Sequence, residues 1–389
     1  MTRLSSRSVF ALDTPRHLLP PALNLPAAGS VPGVVRWRSG TVVSTGRAWR
    51  GSLELVVDVG GREVRALAHP PLVGTPEPGD RVLLNATALE MGLGTGGVAQ
   101  VVALPDRLPA DPPPGPGHLV KARYTPLQAT VLGVDEQDSE HHGLLEAADD
   151  LEAMPVVVAD LHSALPAVLA GLRADRPGAR AAYVMTDGGA LPLWFSRTVA
   201  ALRDAGWLAG SVTVGQAFGG DLEAVTLHTG LLAARHVLGA DVAVVAQGPG
   251  NLGTGTRWGF SGVAAGEAVN AVAALDGRPV AALRVSDADP RERHRGVSHH
   301  SLTAYGRVAL AAADVPVPVL DGPFGARVRR DAEVLAGRHR LVEVPVGGLE
   351  PALRAAPVRL SSMGRSLDAD RACFLASAAA GRHAAGLLG

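Results

Sequence analysis

The stretch DVAVVAQGPGNLGTGTRWGFSGVAAG, residues 241–266, decides the fold class. Asp241–Gln247 is an apolar run without the polar alternation of a half-exposed strand. Such a run is expected of a strand covered on both faces, as in a parallel sheet flanked by helices. A glycine-rich loop follows, and then a small-residue segment, 263–275, with helical character. Strand, loop and helix in that order form the repeating unit of a doubly wound sheet.

The same alternation recurs on either side. Strand-like runs fall at 129–135, 155–160, 181–187, 210–215, 279–286, 315–320 and 339–346, and helix-like runs at 162–174, 193–206, 222–238, 301–313 and 367–387. Residues 118–389 are therefore expected to form an α/β domain with a doubly wound, mostly parallel sheet and helices on both faces. Upstream the period changes. Between 34 and 104 lie short β-rich runs such as LELVVDVG and DRVLLNATA, broken at Ser39-Gly40, Gly60-Gly61 and Pro78-Gly79-Asp80. This spacing predicts a small antiparallel β-barrel of OB or SH3-like type. Residues 105–117, PDRLPADPPPGPG, read as a semi-rigid proline-rich linker. Residues 1–33 read as an irregular N-terminal arm.

Composition narrows the function classes. The chain has 389 residues, 47% hydrophobic and 19% charged, with a net charge of −1. That suits a soluble globular protein of about two domains. No basic excess favours nucleic acid as a partner. No run approaches a membrane span and no signal-peptide core is present, so a cytoplasmic location without membrane attachment is expected. Lys121 is the only lysine, so Schiff-base chemistry would have to use it. Cys373 is the only cysteine, which excludes an intramolecular disulfide and a thiolate zinc cluster. A homo-oligomer is compatible with everything in the sequence.

In an open α/β sheet, ligands bind beyond the carboxyl ends of the strands. Six predicted strand ends carry polar chemistry: Asp160 and His162; Asp187; Gly220 and Asp221; the glycine loop; Ser286, Asp287 and Asp289; and Asp321. An Asp in such a place is also a common helix N-cap, and Asp221 is read as capping a helix that carries His228. Gly248, Gly250, Asn251, Gly253, Thr254 and Gly255 can turn sharply and present backbone N–H groups to an anion, with Arg257 beside them. The loop is neither a P-loop nor a clean dinucleotide fingerprint. The second dense stretch is SDADPRERHRGVSHHSLTA, residues 286–304. Arg293 and Arg295 suit an anion, and Ser298 can cap the helix that follows. His299 and His300 at that helix start are biased towards the neutral imidazole, which serves as a general base or a metal ligand. Asp187 or Asp287 would orient them. If a metal is bound, Asp287, Asp289, His299 and His300 are its candidate ligands, although no spaced metal motif appears and no cofactor is named by the sequence.

Taken together, GLGTGG, TDGGALP, GQAFGGDLEA, GPGNLGTGTRWGFSG and DPRERHRGVSHHSLTA resemble a bacterial family described only as a domain of unknown function (DUF 3866). The resemblance runs from the barrel to about Leu320. It implies that these motifs belong together in one type of protein, and it supplies no reaction and no catalytic residues. The residues themselves point first to an enzyme acting on a small anionic metabolite, phosphorylated ones included, held at the strand-end rim. The alternative is a non-catalytic ligand-sensing or scaffold protein that uses the barrel to bind a partner.

Overall fold

The computed structural model describes residues 34–93 and 96–389. The expected N-terminal arm, 1–33, lies outside the described residues, as do Gly94 and Thr95.

Five strands close the predicted barrel: β1 (Trp37–Trp49), β2 (Ser52–Asp58), β3 (Glu63–Ala68), β4 (Arg81–Asn85) and β5 (Ala99–Ala103), in the order β1-β2-β3-β5-β4. β1 can pair with both β2 and β4 because it is long and irregular, with register shifts between Val42 and Ser44 and between Thr45 and Ala48. Such bulges bend a strand and let a small sheet close. Val42, Leu55, Val57, Val82, Leu84 and Val101 fill the interior. β3 and β5 pair in parallel within an otherwise antiparallel barrel, which is the closure of the OB type.

Beyond the linker, β6 (Leu119–Lys121) pairs antiparallel with β7 (Ala129–Val131). The run at 129–135 is thus a hairpin arm and not a strand of the main sheet. Its partner strand carries the buried Lys121, whose Nζ donates to the carbonyls of Gly215 and Ala224 and so pins the hairpin against the sheet edge.

The main sheet contains β8 (Pro155–Val158), β9 (Ala181–Thr186), β10 (Gly210–Thr213), β11 (Leu222–Glu223), β12 (Val242–Gln247) and β13 (Arg278–Ala281). After a separate β14 (Val285–Ser286)–β15 (Gly296–Val297) ladder come β16 (Asp314–Val319) and β17 (Arg340–Pro345). The order is β11-β10-β9-β12-β8-β13-β16-β17, and every pairing is parallel. Both faces are covered, as the continuous apolar runs require. Val156, Val158, Ala182, Val184, Ala243 and Val245 face one core, with helices Ala264–Ala274 and Gly322–Ala332. Their sequence neighbours Val157, Ala181, Tyr183, Val242 and Val244 face the other, with helices Leu165–Asp175 and Arg371–Gly386. The strand period of two explains this division.

The chain winds outward from β8 to β9, β10 and β11. It then returns to insert β12 beside β8 and starts the other half with β13. The winding therefore reverses around β8, β12 and β13, where an open sheet leaves a crevice.

Two local expectations change. Residues 222–223 form an edge strand, and the helix starts at Leu227 with Thr226 as its cap. Asp221 therefore caps no helix. It accepts from Arg50, from Arg203 at 2.6 Å, and from the Ser211 amide and hydroxyl at 2.8 Å each, tying the barrel to the sheet edge. Trp49 Nε1 (2.6 Å) and Ser52 Oγ (2.8 Å), both donating to the Trp194 carbonyl, complete that junction. Helices Gly322–Ala332 and Leu349–Arg354 were not expected from the periodicity. Among the described residues no helix is long and apolar enough to cross a membrane.

Candidate functional site

At the winding reversal, the chain leaving β8 passes through Asp160 and the chain leaving β13 passes through Arg284, both almost fully buried. An ionisable pair in this position needs mutual compensation. Arg284 Nη1 lies 3.7 Å from Asp160 Oδ2 and 3.2 Å from His300 Nδ1, while His300 Nδ1 lies 3.5 Å from the same carboxylate oxygen. Burial alone would push Asp160 up, but His300 and Arg284 outweigh it and hold the carboxyl below its ordinary range. Asp160 Oδ2 nonetheless accepts no hydrogen bond. Gly262 lets the next helix start against Asp160, because a Cβ there would stand 2.9 Å from the Asp160 Cβ.

His294, His299 and His300 form one cluster. Each offers a ligand atom, and these atoms lie within 4.8 Å of one another. The ring centroids are 4.9 Å apart for His294–His299 and His294–His300, and 4.4 Å apart for His299–His300. Local sequence explains the convergence. Ser298 caps helix His299–Thr303 by accepting from the His300 amide at 3.2 Å, and its Oγ also lies 2.8 Å from His294 Nδ1. One serine thus fixes the helix start that carries two of the rings and orients the third. Phe260 stacks on His300 with centroids 3.7 Å apart and planes at 3°.

His294 and His299 are kept uncharged. Burial, then Arg284 and Arg291, lower His294 to about 3. Burial, then His300 and Arg293, lower His299 to about 4. At neutral pH both therefore offer lone pairs with little competition from protons. The same depression makes them weak general bases, since a useful base titrates near the working pH. The Nε2 atom of His299 is buried and has no hydrogen-bond partner.

The glycine loop forms the opposite wall. Gly250 and Gly255 sit at φ +94° and +82°, where a side chain would be strained. The loop is closed on itself: Thr254 N donates to the Gly259 carbonyl at 2.7 Å, Leu252 N to Ser261 Oγ at 3.0 Å, and Gly259 N to Thr256 Oγ1 at 3.1 Å. Several amides expected to face an anion are therefore engaged within the loop. Asn251 accepts from Gln247 Nε2 and Ser261 Oγ, both at 3.0 Å, and Gln247 Nε2 also reaches the Asp160 carbonyl at 2.7 Å. Gly248 packs tightly on Ala190, and Gly253 bridges to Phe260. Arg293 approaches the loop, its Nη2 lying 3.9 Å from where a Gly255 Cβ would be. Arg257 and Arg293 are exposed, and among the described residues neither has a carboxylate partner. Arg295 donates to the Asp287 carbonyl at 3.3 Å.

Other expected site residues take different places. Asp289 is fully engaged: Arg291 grips both of its oxygens at 2.9 Å, and Arg365 reaches one at 3.1 Å. Burial would raise its pKa, but these guanidiniums hold it far below the usual carboxylate range. Asp287 is exposed, and burial together with the neighbouring Asp370 carboxylate pushes its pKa up. Asp370 in turn accepts from Ser286 Oγ at 2.7 Å and Arg365 Nε at 2.8 Å. The residues whose potential ligand atoms converge are thus His294, His299 and His300, while Asp289 serves an ion-pair network beside them. Asp187 accepts from the Gln216 amide at 2.9 Å, at the end of β9, and is exposed. Gly220 lies against Thr213, and His228 is exposed on helix Leu227–Leu232. None of these last three is hydrogen-bonded to the histidine cluster.

Asp160 was already singled out at its strand end, and Arg284, His294, Phe260 and Gln247 are the additions. For Arg284 the local signal is a lone arginine inside the apolar run PVAALRVS. A second His–Ser contact, His162 Nε2 to Ser196 Oγ at 2.7 Å, mimics a nucleophile and its base. It is a core network instead, since Ser196 caps helix Arg197–Asp204 and Tyr183 occupies the other ring nitrogen at 2.9 Å.

The chain matches the family described as "Protein of unknown function (DUF3866)" over residues 65–381, which takes in the barrel from β3 onward and nearly all of the α/β part. No curated protein matches the chain.

Proposed function

The chain belongs to the DUF3866 family, and from that starting point we propose that it is an enzyme acting on a small anionic metabolite, phosphorylated ones included, bound at the carboxyl ends of β8, β12 and β13. One observation carries this reading. Arg257 and Arg293, on the two loops that flank the histidine cluster, are exposed guanidiniums without a carboxylate partner among the described residues. Guanidinium groups recognise phosphate and carboxylate through paired donors. An anion between these loops would lie beside His299 and His300, so the histidine cluster is the centre of any chemistry. Asp160 and Arg284 support His300 from beneath. Asp187 and His228 have no part in this reading, and Asp287 stands at its edge.

The test is a thermal-shift screen of the full chain against phosphorylated and carboxylated metabolites, with turnover measured for every stabilising compound. A hit should lose its stabilisation in Arg293→Ala and in His300→Ala. Full retention of binding and turnover in both variants would refute the site. The sensor or scaffold alternative has one observation in its favour: Trp37 and Val43 are 49% and 47% exposed on β1 of the barrel. Stable capture of a protein partner, abolished by Trp37→Ala and accompanied by no turnover across the screen, would favour it.

A further inference from the structure

We infer that His294, His299 and His300 bind a divalent transition-metal ion of the zinc class through three imidazole nitrogens. The inference rests on the reading above only in placing the substrate beside the ion; metal binding itself is measured separately.

The geometry is close to what such an ion needs. Two nitrogens bound to one tetrahedral zinc at about 2.1 Å are about 3.4 Å apart. The candidate ligand atoms already lie within 4.8 Å of one another. Small ring rotations close that gap. Imidazole is a borderline donor that suits Zn²⁺, Co²⁺ or Ni²⁺ and disfavours Ca²⁺ and Mg²⁺, which require oxygen ligands. Three protein donors leave at least one coordination position for water or for an anionic group of the substrate.

The surrounding groups supply the second argument. A metal-binding histidine usually donates its other N–H to a fixed acceptor, and this sets the tautomer. His294 Nδ1 has Ser298 Oγ at 2.8 Å for that purpose. His299 Nε2 is a buried nitrogen without a hydrogen-bond partner. At His300, Nδ1 faces a donor-only guanidinium at 3.2 Å and an acceptor-only carboxylate at 3.5 Å. When Nε2 binds an ion, Nδ1 must keep its proton, and that proton then points to Asp160 Oδ2. Arg284 Nη1, 3.7 Å from the same oxygen, shifts its donation there as well. The unpartnered buried carboxylate oxygen gains two donors in the metal-bound state. Phe260, stacked at 3.7 Å, fixes the plane in which the His300 ring lies.

The experiment is a titration of the chelator-stripped full chain with Zn²⁺, and with Co²⁺ as a spectroscopic probe. One equivalent per chain should bind, with a dissociation constant below about 1 µM and visible Co²⁺ bands of a four- or five-coordinate site. His294→Ala, His299→Ala and His300→Ala should each abolish that binding. Asp160→Asn, which removes no ligand, should weaken it by about 10- to 100-fold. His118→Ala, far out on the surface, should leave it unchanged. If an alanine variant fails to fold by circular dichroism, His299→Gln carries the test, since it keeps a polar side chain but no imidazole. The inference is overturned if Zn²⁺ binds no tighter than about 100 µM, or if tight binding persists in the folded histidine variants. Absence of metal binding together with metabolite stabilisation that needs Arg293 would sink the metal site and leave the anion reading standing. Metal binding without any metabolite response would do the reverse.

Discussion

Helices Leu165–Asp175 and Arg371–Gly386 cross at a pair of glycines, and replacing them tests the packing that supports the site. A Cβ on Gly171 would stand 1.9 Å from the Ala378 carbonyl oxygen, and a Cβ on Gly381 would stand 1.9 Å from that of Val168. Both obstacles are helical backbone, which cannot rotate away. Ordinary contact begins near 3.4 Å, so each substitution requires the helices to part by about 1.5 Å. A gap of 0.5–1 Å already forfeits about a quarter to a half of each contact's dispersion energy. Overpacking of this kind costs about 1–3 kcal/mol and more against rigid backbone. Helix propensity acts in the opposite direction, since Gly→Ala in a helix interior gains about 1 kcal/mol. The two effects therefore differ in sign. Gly171→Ala and Gly381→Ala should each destabilise by about 2 kcal/mol net, and Gly178→Ala, with open space around its Cβ, should not. Urea denaturation followed by far-UV circular dichroism gives the comparison. Equal or greater stability in Gly171→Ala would show that the helices are not in this contact. Because the second helix begins just after Asp370, the same variants should also weaken ligand or metal binding at the rim.

Two further outcomes follow from the ion pairs and the thiol. Asp289→Asn leaves Arg291 and Arg365 facing a neutral side chain at a fully buried position and should cost on the order of 3 kcal/mol at pH 7. The folded-state pKa of Asp289 is depressed, so its contribution is fully present above the unfolded value near 4 and fades as pH falls through the lower folded value. The stability difference between wild type and variant, measured by denaturation from pH 7 to pH 3, should therefore shrink only at the acid end; a difference that grows on acidification would contradict the assignment. Burial pushes the Cys373 thiol up to about 12. Alkylation at pH 8 should then be about a thousandfold slower in the native protein than in denaturant, and rapid stoichiometric labelling of the folded chain would oppose this.

Much of the architecture was legible in the sequence because it depends on local patterns. Continuous apolar runs such as Val242–Gln247 signalled strands covered on both faces, and seven of the eight expected runs joined the main sheet. The run at 129–135 misled because a short β-forming stretch such as Ala129–Val131 pairs equally well in a hairpin. Asp221 misled because an aspartate before a polar turn has the same signature whether it caps a helix or anchors Arg50 of the barrel and Arg203 of helix Arg197–Asp204. The glycine loop and the Arg/His loop were recognisable as two walls of one rim, since both follow strand ends.

The sequence by itself determined the barrel, the parallel sheet and the edge of that sheet on which polar residues gather. These follow from periodicity and turn chemistry, which act over a few residues. Only the tertiary structure decided which polar residues meet. Asp160 and His300 are 140 positions apart in the chain and face each other because β12 and β13 flank β8 and the helix after β15 is capped by Ser298. Asp289 was drawn from the candidate ligand set into an ion pair by Arg365, which no local pattern connects to it. Convergence of side chains depends on strand order and helix packing, and those are set by burial of the whole apolar surface rather than by any single stretch.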